Sequence, residues 1–202
     1  MSAVIETVVT TLDESGEPNF AAMGIVGGAE TLTIRPFTNT RTYRNLTRTR
    51  EAVINVTDNV LIFAKSALSR ERFDCTPAAR VRGVVLRDTC YWREVSVKEV
   101  VLPRGDAPGA GRADVVTQVV GGGEVRQFDG LCRAKHAVVE ASILASRLRF
   151  LPRDEILGEL IRLDALVEKT GGPEEREAME FIRAHVATKT LAGCSRGGGG
   201  ER

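Results

Sequence analysis

The chain has 202 residues, with 28 Lys and Arg against 27 Asp and Glu, a net charge of +1. That balance, with aromatic residues at only 5%, argues against a polyanion-binding surface and against a stacking platform for single-stranded nucleic acid. A chain of this length buries enough surface to fold without disulfides or a metal. No apolar run approaches the ~20 residues that cross a bilayer.

Residues 3–11 are rich in β-branched types and predict a strand. The cluster Asp13 to Pro18 is a turn, and residues 19–26 predict a second strand that completes a hairpin. Residues 30–35 alternate and form a third. The period then changes: Asn39 to Arg50 carries Tyr43, Leu46 and Thr47 at helical spacing, with Asn39 or Thr40 as N-cap. Residues 51–57 return to strand, and 58–68 read as a short helix. Residues 81–87 predict a short strand and 90–102 a longer one. Pro103 to Arg112 reads as a loop. Residues 113–120 form another strand, broken by Gly121-Gly122-Gly123, and both this triplet and Gly109-Ala110-Gly111 read as turns.

From Ala134 the pattern is helical. Residues 134–149 make one helix, a second starts at Pro152, and Lys169-Thr170-Gly171-Gly172-Pro173 stops it and restarts a third. The expected organisation is a domain over 1–133, a helical region over 134–192 and a disordered tail over 193–202.

Cys75, Cys90, Cys132 and Cys194 are far apart and form no CxxC, so neither a zinc site nor a redox pair is expected. Met1 to Glu6 lacks a basic stretch followed by an apolar one, and the expected location is the cytoplasm. His136 and Glu140 stand four apart on a predicted helix, but without a second nearby His they read as a solvated pair and not a metal site. No Ser, Cys or Thr has an identifiable base partner, so covalent catalysis has no support and no catalytic side chain is assigned.

The most informative stretch is Arg35 to Thr57. A strand ends at Arg35, and a helix opens inside the polar turn Thr38-Asn39-Thr40-Arg41-Thr42. A helix N-terminus offers unpaired N–H groups and a positive dipole end, and here Thr hydroxyls and Arg side chains gather beside it. The cluster suits a phosphate; ordinary capping by Asn39 or Thr40, with Arg41 and Arg44 in solvent, explains the same residues.

The order of motifs carries a resemblance. The strand with Asn19-Phe20-Ala21-Ala22-Met23-Gly24, the strand ending Arg35-Pro36-Phe37, the Thr42-Tyr43-x-Asn45-Leu46 helix and the Val53-Ile54-Asn55-Val56-Thr57-Asp58 strand together resemble the FMN-binding split-barrel superfamily, in its flavin-reductase-like branch. With Lys169 to Gly172 added, the chain is similar to a group of archaeal and methylotroph proteins, domain-of-unknown-function family 447. The resemblance implies a six-stranded antiparallel β-barrel, a split barrel with helices, followed by a C-terminal α-helical appendage. It implies a homodimer with FMN at the subunit interface. The phosphate would lie at Arg35, Thr38, Asn39, Thr40 and Thr42, next to Asn45; the flavin ring would lie near Ala22, Met23, Gly24, Asn55, Val56 and Thr57. It also implies hydride or electron transfer through the flavin, with NAD(P)H or a pterin as partner in tetrahydromethanopterin-linked one-carbon metabolism. A non-catalytic flavin or pterin carrier, and an interaction subunit docking through its C-terminal helices, are the alternatives.

Overall fold

A computed structural model describes residues 3–102, 111–128, 130–148 and 150–194. The chain divides into two compact units, one of residues 1–59 and 70–129, the other of residues 60–69 and 130–202.

In the first unit β1 (Val4–Leu12), β2 (Pro18–Gly27) and β3 (Thr31–Ile34) form a meander. After α1 (Arg41–Thr49) come β4 (Glu51–Val56), the short hairpin β5 (Cys75–Pro77) and β6 (Val84–Leu86), then β7 (Tyr91–Val101) and β8 (Asp114–Glu124). Six strands close an antiparallel barrel in the order β1-β2-β3-β8-β7-β4. Closure leaves those strands no free edge. Opposed residues share a face, so the register Thr7 to Met23 and Ile5 to Ile25 turns these side chains inward, and Val8 to Ala22 and Glu6 to Gly24 outward. Val9, Ile25, Leu32, Ile34, Ile54, Val95 and Val115 fill the interior. Leu46 of α1 joins them fully buried, worth about 1.5–3 kcal/mol.

α1 is capped at both ends. Thr40 Oγ1 accepts the Tyr43 N–H at 3.3 Å. At the other end Arg50 adopts the left-handed conformation at φ 61° and its N–H reaches the Leu46 carbonyl. A non-glycine residue there costs about 1–2 kcal/mol. Three bonds offset this: its guanidinium donates to the carbonyls of Val97 and Lys98, and its own carbonyl accepts from the Val97 N–H.

The β5–β6 hairpin covers the outer face of β1 and β4. Thr10 Oγ1 donates to the Val84 carbonyl at 2.6 Å, and Asn55 Oδ1 accepts the Leu86 N–H at 2.9 Å. Val53, Val81 and Val85 make a small apolar cluster beneath it, with Ala78 and Trp92 against it.

Two expected elements differ, and one strand is additional. The triplet Gly121–Gly123 is not a turn: β8 runs through it to Glu124, paired with Glu94, Arg93 and Trp92 of β7. The glycines are needed because a Cβ at Gly123 would stand 2.4 Å from the Trp92 indole, and one at Gly121 would stand 2.7 Å from Arg80 Cγ. The strand expected over 81–87 is only Val84–Leu86, because Val81 N–H is turned to a side chain instead of a neighbouring strand. β5 was not anticipated at all; three residues are too few to show alternation.

The second unit is helical: α2 (Val60–Leu68), α3 (Arg133–Ser146), α4 (Arg153–Thr170) and α5 (Pro173–Cys194). Val60, Ala64, Ala137, Val138, Ala141, Ile156, Leu160, Leu163, Met179 and Ile182 share one core. α2 therefore belongs with the C-terminal helices, unlike the expected boundary at 133, because its apolar side is completed by α3 and α5. The stop-and-restart sequence has a structural task in this unit. Glu174, at the start of α5, accepts the Val60 N–H and so caps α2, while Glu175 accepts the Gly172 N–H at 2.8 Å. α5 continues through Gly193 and Cys194, so the expected tail begins no earlier than residue 195. Residues 195–202 and most of the expected loop, 103–110, lie outside the described residues.

Candidate functional site

The β3–α1 loop brings Arg35, Thr38, Asn39 and Thr40 together at one barrel end. Its course is fixed by backbone bonds: Thr38 N–H donates to the Gly111 carbonyl, Ala113 N–H to that of Pro36, and Thr40 N–H to that of Phe37. Thr40 is the N-cap, and its hydroxyl also donates to the Phe37 carbonyl at 2.7 Å. Arg35 pairs with Asp114 across the sheet at 2.9 Å, both about half exposed. Arg112 lies 4.6 Å from the Phe37 ring centre. Arg44 reaches the Asn39 carbonyl. The first turn of α1 holds no acid, and the amides of Arg41 and Thr42 meet no acceptor among the described residues. An oxyanion fits there on charge and on free donors.

Arg41 is not simply in solvent. It pairs with Asp13 of the β1–β2 turn at 3.3 Å. Asp13 also accepts from Ser15 and from the Glu17 amide, which together hold its carboxyl below the ordinary value.

Thr42 and Asn45 face inward instead. Thr42 Oγ1 accepts from Asn19 Nδ2 at 3.1 Å, and Asn45 Nδ2 donates to Thr11 Oγ1 at 3.0 Å. Both are buried, and they fasten α1 over the end of the barrel. On β2, Met23 faces the barrel core, and its carbonyl accepts from Thr7 Oγ1. Ala22 and Gly24 face outward, with Gly24 under the Val4 and Glu6 side chains. Asn55 shares a cross-strand row with Val8 and Ala22. Its amide is fully engaged: Nδ2 donates to the Val8 carbonyl at 3.0 Å while Oδ1 holds Leu86. Thr57 donates to the Asp88 carbonyl and accepts from the Asn59 amide. Val56 is the last residue of β4 and Thr57 follows it, at the end of that strand away from its start after α1.

Two polar clusters escaped the sequence reading. Glu94 is 1% exposed. Its carboxylate accepts the amides of Ala79, Arg80 and Val81 and the Trp92 Nε1–H. Burial alone would raise its pKa, but these hydrogen bonds outweigh burial and lower it. The second cluster joins Arg126 to Asp58 and Asp88. The hydrogen bond to Asp58 raises the Arg126 pKa, and burial raises that of Cys90 beside it. Both clusters bring together residues distant in the chain, so no local spacing signals them. Among the described residues no group of three or more His, Cys, Asp or Glu could hold a metal. No described helix is long and apolar enough to cross a membrane.

Two family models match the chain. Residues 5–118 match the N-terminal domain of a protein of unknown function (DUF447), and residues 132–184 match a second DUF447 model. An FMN-bound DUF447 protein from Methanosarcina mazei superposes with a TM-score of 0.74 at 22% identity, over 92% of this chain and 96% of that one. A 2-nitrobenzoate 2-nitroreductase from Pseudomonas fluorescens gives a TM-score of 0.50 at 16% identity, over 62% of this chain and 66% of that one. An FMN-binding protein from Thermus thermophilus gives 0.50 at 13%, over 59% and 70%. These likenesses bear out the expected fold, an antiparallel split barrel with helices.

Proposed function

The chain belongs to the DUF447 family, and from that premise we propose that it is an FMN-binding flavoprotein of flavin-reductase type. The carrying observation is the β3–α1 loop, an acid-free helix start with free amides and neighbouring arginines, in a chain that shares its fold over 92% of its length with an FMN-bound protein. The phosphate would rest at Thr38, Asn39 and Thr40, with Arg35 and Arg44 supplying charge. Asp114 then orients Arg35. The outward face of β2 at Ala22 offers the ring a surface of small side chains. Thr42, Asn45 and Asn55 act as scaffold, holding α1 and the hairpin in place. Bound FMN would supply hydride or electron transfer, so the protein would need to bind, orient and tune it, without a nucleophile of its own. A homodimer would complete the flavin site.

The test is a visible spectrum of the purified protein and a titration with FMN. Yellow protein, or micromolar uptake of added FMN, supports the reading; colourless protein that binds no FMN overturns it. Anaerobic addition of NADH and NADPH, then of a pterin acceptor, separates an enzyme from a carrier. Bleaching of the flavin identifies the enzyme.

A further inference from the structure

We propose that the cavity beside Trp92 is a second binding site, for a small aromatic carboxylate. It is a half-open cleft of about 260 Å³ over the outer face of β7, lined by Ala78, Val85, Leu86, Trp92 and Glu94, together with Thr76, Arg87 and Val125.

The cavity is pre-formed. The Trp92 indole is held over Gly123, where any side chain would displace it, and its N–H is bound to Glu94. Glu94 also gathers the amides of Ala79, Arg80 and Val81, which fixes the loop that forms one wall. The adjoining wall is fixed by the Asn55 bond to Leu86. The indole and the two walls need no ordering by the ligand, so only the Arg87 side chain is immobilised on binding.

Size and charge choose the ligand. An apolar cavity of about 150 Å³ accepts benzene, so this one admits a ring with a substituent. Drug-sized ligands and dinucleotides ask for more. The indole and aliphatic walls favour a flat ring. The Glu94 carboxylate is taken by its four donors and cannot receive a cation. At the rim Arg87 is exposed and makes no ion pair among the described residues. A guanidinium beside an aromatic slot suits a carboxylate on the ring. None of the lining residues belongs to the proposed FMN site.

Trp92 is the single tryptophan of the chain and reports directly on the cavity. The full-length protein is titrated with 4-nitrobenzoate and with uncharged 4-nitrobenzamide, following tryptophan emission excited at 295 nm. We expect saturable quenching, with half-saturation at least tenfold lower for the carboxylate, and the same half-saturation after loading with FMN. Arg87→Ala should erase the preference while keeping weak binding of both probes. Ala78→Leu, which fills the cavity, should abolish saturation for both. Linear quenching equal to that of N-acetyltryptophanamide overturns the proposal. So does a carboxylate preference that survives Arg87→Ala, or competition by FMN.

Discussion

Glu94→Ala gives the sharpest test of how the outer shell of the barrel is held. The substitution removes one acceptor from four donors. Ala79 and Arg80 are exposed, so water can reach their amides; Val81 is buried and Trp92 half-buried. A hydrogen bond to a charged group contributes about 1.5–3 kcal/mol, and a buried donor left bare costs about 1–3 kcal/mol. Counting only the two sheltered donors in full, the barrel unit should lose about 3–6 kcal/mol. Glu94→Gln keeps one acceptor oxygen and should lose about 2 kcal/mol. Urea unfolding followed by Trp92 fluorescence reads the effect on this unit alone, which matters in a chain of two units that need not unfold together. With m near 1–3 kcal/mol/M, the alanine midpoint should fall by about 1 M or more. The effect is pH-dependent. Because the folded-state pKa lies below the ordinary 4.5, the carboxylate's stabilisation is complete above that value and fades as pH falls through the folded pKa. The gap between wild type and Glu94→Gln should be constant from pH 7 to about 5 and shrink below. A Glu94→Ala protein within about 0.5 kcal/mol of wild type would refute the reasoning.

Asn55→Ala strips a buried acceptor from Leu86 and a donor from Val8; a loss of about 2–4 kcal/mol is expected, with faster amide hydrogen exchange confined to β5, β6 and their contacts on β1 and β4. Asp58→Asn should cost about 1–2 kcal/mol, since Asp58 is buried but Arg126 is 35% exposed and Asp88 remains to it; a urea titration checks this. Arg35→Ala and Thr40→Ala should each weaken FMN by about 10- to 100-fold, from a charge-assisted bond of about 1.5–3 kcal/mol. Thr40→Ala should also cost about 1 kcal/mol of stability through the lost cap. Unchanged FMN affinity in both variants would move the phosphate elsewhere.

The elements that repeat a period were legible in the sequence: β1 to β4, α1 and the three C-terminal helices all stand where alternation, capping residues and the Gly-Gly-Pro stop put them. The polar turn opening α1 was legible too, because its Thr and Arg side chains are neighbours in sequence. What escaped was made by side chains reaching across the fold. Glycines 121 to 123 suggest a turn until the Trp92 ring above them is seen. Thr42 and Asn45 sit in the same polar stretch, but nothing local shows that Asn19 and Thr11, more than twenty positions away, hydrogen-bond their side chains. Glu94 gives no sign that it holds a loop, and α2 gives none that it belongs with helices seventy residues on.

That last placement has a consequence for biosynthesis. α2 leaves the ribosome before half of the chain exists, and the carboxylate that caps its Val60 amide arrives 114 residues later. At ~5–20 residues per second, its apolar side waits on the order of 6–25 s for α3 and α5. Neither unit can be finished as a block before the other begins: the early strands of the barrel are made first, the helix is laid down between them, and both kinds of structure mature in parallel. A nascent chain halted near residue 129 would carry a nearly whole barrel and one stranded greasy helix, a natural handle for a chaperone. This gene would resist being cut into two expression modules, unless α2 were excised from between β4 and β5 and transplanted beside its partner helices.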